Sequence, residues 1–114
     1  MAKYTYSAWL NQYNNFAPEA TAKDTLPNDM TVQISYVSAG IYFWKVIRND
    51  EGITQNCLPF INQGYSGLVN KVSTRVLDGG VYIYVESWNG SQWVLADGEM
   101  PENTSFKVDF WVEE

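Results

Sequence analysis

The sequence contains no histidine and only one cysteine, Cys57. The absence of histidine excludes Ser–His and Cys–His nucleophile pairs, an imidazole general base and most transition-metal sites. A lone cysteine cannot form a disulfide within the chain. Because Cys57 lies among apolar residues, we expect a buried thiol rather than a nucleophile. We therefore expect a protein that is not an enzyme and that carries no metal or other cofactor.

Positive charge is scarce as well. The chain has 7 Lys and Arg residues against 13 Asp and Glu residues, which gives a net charge of −6. The basic residues are spread along the chain and form no cluster. A phosphate backbone and an anionic membrane both require concentrated positive charge, so we expect no nucleic acid and no membrane as partner.

Long apolar runs are also missing. No run approaches the roughly 20 residues that a transmembrane helix needs. The first ten residues, MAKYTYSAWL, lack the basic start, apolar run and cleavage site of a secretory signal. We expect a protein that is cytoplasmic or is released without a secretory signal peptide.

Apolar and aromatic residues, by contrast, are plentiful. Of the 114 residues, 46% are hydrophobic and 16% are aromatic. This composition argues against disorder, and the length suits one domain. We therefore expect a single domain over 1–114.

Alternation with period two predicts β-strands along most of the chain. Clear segments are 31–38, 41–48, 72–77, 81–88 and 106–113. Residues 3–10 also alternate, although helical spacing fits 3–17 too. Tyr4, Thr5 and Tyr6 favour a strand, and the NQYNN that follows favours a turn, so we expect a strand over 3–10 and then an irregular turn. Turn chemistry separates the strands at Ala39-Gly40, 49–52 and 78–80.

Two segments near prolines show no clear alternation and are predicted from other signals. Residues 53–58 predict a strand, and Pro59 places it at a sheet edge or a crossover. Residues 18–30 are polar with two prolines and predict a surface loop. The whole pattern, six to eight short strands and no helix longer than two turns, predicts an all-β fold. It suits an antiparallel β-sandwich, jelly-roll-like, or a small barrel.

The strongest local signal is Asn89-Gly90 between two strand segments. Asn-Gly favours a two-residue hairpin with a type I′ turn, because both residues tolerate positive φ. Such a turn places Trp88 opposite Ser91 and Glu86 opposite Trp93. The hairpin then has two unlike faces. One is aliphatic: Val81, Ile83, Val85, Ser87, Val94 and Ala96. The other is aromatic and polar: Tyr82, Tyr84, Glu86, Trp88, Trp93 and Leu95.

The aliphatic face suits a core, and the same split occurs in the last strand. There Phe106, Val108, Phe110 and Val112 are predicted to be buried, whereas Lys107, Asp109, Trp111 and Glu113 are predicted to be exposed. Aromatic residues left at the surface in one patch mark an interaction site. The candidate ligand-binding residues are Tyr82, Tyr84, Glu86, Trp88, Trp93 and Trp111.

The chemistry of this patch leaves several partners open. Aromatic rings beside a carboxylate suit a glycan, as in a lectin, but they equally suit a protein surface. We expect a homo-oligomer. The alternative is a structural subunit of a phage or other particle, with the aromatic face used entirely for assembly. A glycosidase pair, Glu86 with Asp109, and calcium at the acidic turns 49–51, 78 and 97–99 are weaker hypotheses, because neither has a recognised spacing.

Overall fold

The computed structural model describes residues 2–11, 19–22, 26–64, 70–96, 100–101 and 104–113. Within these ranges the chain forms strands, and no helix in them is long and apolar enough to cross a membrane. The strands are β1 (Ala2–Asn11), β2 (Glu19–Ala22), β3 (Thr31–Ser38), β4 (Ile41–Arg48), β5 (Glu51–Gly52), β6 (Thr54–Asn62), β7 (Asn70–Leu77), β8 (Gly80–Trp88), β9 (Trp93–Leu95) and β10 (Thr104–Val112).

The strands form two antiparallel sheets. Sheet A has the order β2-β1-β10-β6. Sheet B has the order β3-β4-β8-β7, with β5 beside β4 and β9 beside β8. The sheets make a β-sandwich and do not close into a barrel, so the predicted sandwich is confirmed and its barrel alternative is wrong. The described ranges hold more strands than predicted, because β2 and β5 are too short to show alternation.

The core lies between the inner faces of the two sheets. Ser87, Val94 and Ala96, which were predicted on the aliphatic face of the hairpin, are only half-buried. The alternating apolar residues predicted to be buried in β8 and β10 are buried. They are Val81, Ile83 and Val85 in β8, and Phe106, Val108, Phe110 and Val112 in β10. Strand β1 adds Tyr6, Ala8 and Leu10, and β4 adds Tyr42, Trp44 and Val46.

Trp44 is the large side chain that joins the two sheets. It is fully buried, and its ring centroid lies 5.7 Å from that of Tyr6 in sheet A. The rings of Phe106 and Phe110 approach it edge-on, with centroids at 6.1 Å and 5.8 Å. Each such aromatic pair contributes about 0.5–1.5 kcal/mol beyond the area that it buries. The aromatic content of the sequence is thus partly used in the core.

Two hairpins have the tight turns that their sequences predict. Asn49 and Asp50 have φ of 52° and 64°, and Arg48 pairs with Glu51. Asp78 and Gly79 have φ of 56° and 73°, between paired Leu77 and Gly80. Consecutive positive φ values are those of a type I′ turn, which matches the twist of the flanking strands.

One segment of the predicted loop 18–30 is instead a strand. Residues Glu19–Ala22 form β2, which pairs with β1 from Asn11 opposite Glu19 to Ala8 opposite Ala22. These four residues have no strand pattern of their own, so it is pairing with the edge of β1 that makes them extended. Residues 23–25 of the predicted loop lie outside the described part, as does the predicted turn after β1. Pro59 lies in β6, which is an edge strand as predicted.

Candidate functional site

The hairpin that carries the candidate residues has a different register from the predicted one. Trp88 pairs with Trp93, and Glu86 pairs with Leu95, so the loop spans 89–92. The prediction of a two-residue type I′ turn, with Trp88 opposite Ser91, is wrong. Because the register differs by two residues, every side chain stays on its predicted face. The two tryptophans are brought directly opposite each other.

The side chain of Asn89 holds this longer loop. Its Oδ1 accepts hydrogen bonds from the backbone N–H of Ser91 at 3.0 Å and of Gln92 at 3.0 Å. The hydroxyl of Ser91 donates a further bond to it at 3.1 Å. The backbone N–H of Asn89 donates to the carbonyl of Gln92 at 3.1 Å. Asn89 therefore stabilises the loop through its side-chain carbonyl oxygen, as in an Asx turn, and not by adopting a left-handed backbone conformation.

Trp88 and Trp93 form an exposed pair on the outer face of sheet B. Their ring centroids lie 5.5 Å apart at an interplanar angle of 65°. The exposed fractions are 43% for Trp88 and 37% for Trp93. Large aromatic side chains are normally covered, so a contacting pair this exposed is an unusual surface feature.

A lysine and a glutamate lie beside the tryptophan pair. Lys71 on β7 pairs with Glu86 on β8, and Lys71 Nζ lies 3.9 Å from Glu86 Oε1. The same Nζ lies 4.8 Å from the ring centroid of Trp93, within the range of a cation–π contact. Lys71 therefore reaches across β8 and links the carboxylate to the indole.

Tyr82 and Tyr84 continue the row along β8 towards the other end of the sheet. Tyr82 packs against Phe43 of β4 with centroids 4.6 Å apart, and the Tyr82 and Tyr84 rings lie 6.5 Å apart. The positions from 82 to 88 cover about 20 Å at the usual strand rise. Phe43, Tyr82, Tyr84, Trp88 and Trp93 are called the aromatic surface below.

The hydroxyl of Tyr82 has a specific partner at the rim of this surface. It donates a hydrogen bond of 2.9 Å to Asp78 Oδ2 in the β7–β8 turn. Only the neutral phenol can donate this bond, so the bond raises the pKa of Tyr82, and the negative charge of Asp78 raises it further. The phenol is thereby oriented along the surface.

The structure separates Trp111 from the other five candidate residues. Trp111 is on β10, opposite Lys3, and faces outward from sheet A, with Lys3 Nζ 5.8 Å from its ring centroid. The aromatic surface faces outward from sheet B, so the core of the sandwich lies between them. Glu86 and Asp109 are separated in the same way. They therefore cannot act across one cleft as a glycosidase pair.

Asp109 differs from its prediction in another respect. It was expected to be exposed, but its side chain is only 11% exposed. Thr5 donates a hydrogen bond to its Oδ1, and Lys3 and Lys107 approach within 3.8 Å and 4.0 Å. These neighbours cover the carboxylate on the outer face of sheet A.

The site also contains Phe43 and Lys71, which the sequence did not indicate. Both reach the aromatic surface from neighbouring strands, β4 and β7. Phe43 pairs with Tyr82 and Lys71 with Glu86. Alternation shows which side chains of a strand share a face, but it carries no signal of which strand lies beside it.

Metal and thiol chemistry find little support in the described part of the chain. No three acidic or cysteine side chains come together there in a way that could hold a metal ion. The acidic stretch 97–99 lies outside the described residues. Cys57 is half-buried rather than fully buried, and it packs against the core from β6. Burial raises the pKa of its thiol, which disfavours the reactive thiolate.

Comparisons with protein-family models, with curated protein sequences and with solved structures find no match to this chain. The case for function therefore depends on the geometry of the aromatic surface.

Proposed function

We propose that this protein is a non-catalytic binding module that recognises glycans through the aromatic surface of sheet B. The observation that carries the proposal is the exposed pair Trp88 and Trp93, in contact with each other and beside the Lys71–Glu86 ion pair.

The arrangement suits the mixed chemistry of a sugar. One side of a pyranose ring presents C–H groups, which pack against a flat aromatic ring, while its hydroxyls need hydrogen-bond partners. Glu86 can accept hydrogen bonds from hydroxyls, and Lys71 can donate them. Both charged groups lie next to the indoles on one sheet face. Hydrogen bonds to charged groups contribute about 1.5–3 kcal/mol each.

The charge of this face favours acidic sugars. The strands of sheet B present Lys45, Lys71 and Arg75 on the outer face, against Glu86 on the same face and Asp78 at its rim. The chain as a whole carries a net charge of −6, so this face is basic within an acidic protein. We expect glycans with carboxylate or sulfate groups to bind more tightly than neutral ones. That preference should weaken with added salt.

A glycan array with matched tryptophan variants tests the proposal. Trp88→Ala and Trp93→Ala should each lower affinity at least about tenfold, because buried aromatic contacts dominate binding energy. Trp9→Ala is the control: Trp9 is equally exposed, at 45%, but faces outward from sheet A. Circular dichroism checks that each variant is folded.

Two results would overturn the proposal. One is a folded wild type that binds no neutral or acidic glycan. The other is a loss of binding in Trp9→Ala as large as that in Trp88→Ala.

A second candidate function is assembly, with the protein as a structural subunit of a particle. The observation that favours it is a further exposed apolar set on the outer face of sheet A, made of Trp9, Leu58 and Phe60. A subunit with apolar groups on both outer faces could contact neighbours on two sides. Mass measurement in solution tests this. A large assembly that dissociates in Trp88→Ala would support it, and the absence of any assembly would contradict it.

A further inference from the structure

The edges of the two sheets differ in how they are protected. An edge strand presents free backbone groups, and proteins usually block such an edge with a short strand, a proline or charged side chains. Among the described strands, three of the four edges follow this rule. Strand β2 has only 4 residues, β6 contains Pro59, and β7 contains Lys71 and Arg75.

Strand β3 is the exception. It lies at the end of sheet B opposite β7 and is 8 residues long, with the sequence TVQISYVS. It contains no charged residue and no proline. Its register with β4 is regular from Thr31 to Tyr36, where a bulge follows. β-Branched residues and tyrosine also give it a high strand propensity.

The charge at the start of β3 is balanced, while Lys45 of β4 lies opposite Gln33 within the strand pair. Asp29, just before the strand, forms a 2.8 Å ion pair with Arg48. A chain with net charge −6 repels its own copies, so an uncharged edge with a neutralised flank is where two copies can approach at least cost.

We propose that two copies of this protein pair through β3, antiparallel and about a two-fold axis, so that their sheets B form one continuous sheet. The occupant is a second copy because an antiparallel strand pair about a two-fold axis matches one edge to itself. The inference is independent of glycan binding.

The sandwich restricts the register of this pairing. Side chains on the inner face must lie opposite side chains on the inner face. The axis therefore lies between the two strands at the level of one residue, which then faces its own copy. With the axis at Gln33, Val32 lies opposite Ile34 of the second copy on the inner side. On the outer side Gln33 lies opposite itself, and Thr31 lies opposite Ser35. Every pair is then apolar with apolar or polar with polar, and each contributes to sheet stability.

Pairing of this kind has a consequence for the aromatic surface. Both copies would present it on the same outer face of the joined sheet. A multivalent glycan could then engage both copies, which raises avidity without any new contact.

Sedimentation equilibrium over a wide concentration range tests the interface. Wild type should be a dimer. Gln33→Lys places two like charges opposite each other at the axis, beside Lys45, and should raise the dissociation constant at least about tenfold. Gln33→Glu should weaken the dimer less, because Lys45 lies opposite position 33 and offsets the added charge. Mixing the two variants pairs opposite charges and should restore the dimer. Ser73→Lys is the control, because it adds the same charge at the opposite edge of sheet B.

The inference is overturned if wild type stays monomeric at every concentration. It is also overturned if folded Gln33→Lys dimerises as wild type does, or if its mixture with Gln33→Glu stays monomeric. A dimer that dissociates in Trp88→Ala but not in Gln33→Lys would place the interface at the aromatic surface instead. Glycan binding, measured on the same samples, succeeds or fails separately from each of these results.

Discussion

Thr5 donates a 2.7 Å hydrogen bond to Asp109 across the pair formed by β1 and β10. The carboxylate lies on the outer face of sheet A, yet it is almost covered by Thr5, Lys3 and Lys107. A hydrogen bond to a charged acceptor is among the stronger ones in proteins.

Loss of the Thr5 hydroxyl should therefore be measurable. Thr5→Val keeps the shape and strand propensity of the side chain but leaves Asp109 one partner short. We expect the free energy of unfolding in urea to fall by about 1–3 kcal/mol. Ser7→Ala, on the same face of β1, should change it by less than about 0.5 kcal/mol. Equal effects of the two changes would contradict a specific role for the Thr5 bond.

Gly80 and Gly52 offer a steric test of how closely β4 and β8 approach. A Cβ at Gly80 would collide with the carbonyl oxygen of Trp44 and lie 2.6 Å from the Phe43 ring. A Cβ at Gly52 would meet nothing within 4 Å. Gly80→Ala should lower the free energy of unfolding by about 1–3 kcal/mol. Gly52→Ala should leave it within about 0.5 kcal/mol. A Gly80→Ala protein as stable as wild type would show that the strands are further apart.

Asn89→Gly distinguishes the observed loop from a type I′ turn. A type I′ turn accepts glycine at this position readily. The observed loop instead loses the side-chain oxygen that accepts bonds from Ser91 and Gln92. We expect Asn89→Gly to lower the unfolding free energy by about 1–2 kcal/mol in urea titrations. Ser91→Ala, which removes one of these bonds, should cost less. Unchanged stability in Asn89→Gly would favour the two-residue turn.

Stability at alkaline pH should depend on Tyr6. Burial raises the pKa of Tyr6 above its usual value of about 10. On raising the pH past 10, the unfolded chain releases this proton before the folded one does. The stabilisation is therefore complete below pH 10 and is lost as the pH rises towards the folded pKa. Urea unfolding between about pH 9 and 11 should show this decline, and Tyr6→Phe should reduce it. An equal decline in Tyr6→Phe would contradict the assignment.

The inner faces of the strands were predictable from sequence because burial on one side of a sheet imposes alternation. Val81, Ile83 and Val85 are buried as predicted for that reason. The register of the hairpin was not predictable from Asn89-Gly90 alone. The bonds that the Asn89 side chain accepts and the cross-strand contact of Trp88 with Trp93 favour a longer loop over the turn that the dipeptide prefers.

The composition of the site depends on pairings between distant residues, and these carry no local signal. The predicted site combined Trp111 with Trp88 because both alternate with buried residues. Pairing of β10 with β1 and β6 places Trp111 in the other sheet. Pairing of β8 with β4 brings Phe43 to the site, although Phe43 and Tyr82 are far apart in sequence.

The antiparallel pairing of β1 with β10 also determines the order in which the molecule can fold. Sheet B contains hairpins such as β3–β4 and β7–β8, whose partners are close in sequence and can meet within microseconds. The centre of sheet A pairs Ala2 with Val112, so a loop of about 110 residues must close before this strand pair can form. Sheet A should therefore form late, and while it does so the inner face of sheet B lacks its cover and is open to aggregation.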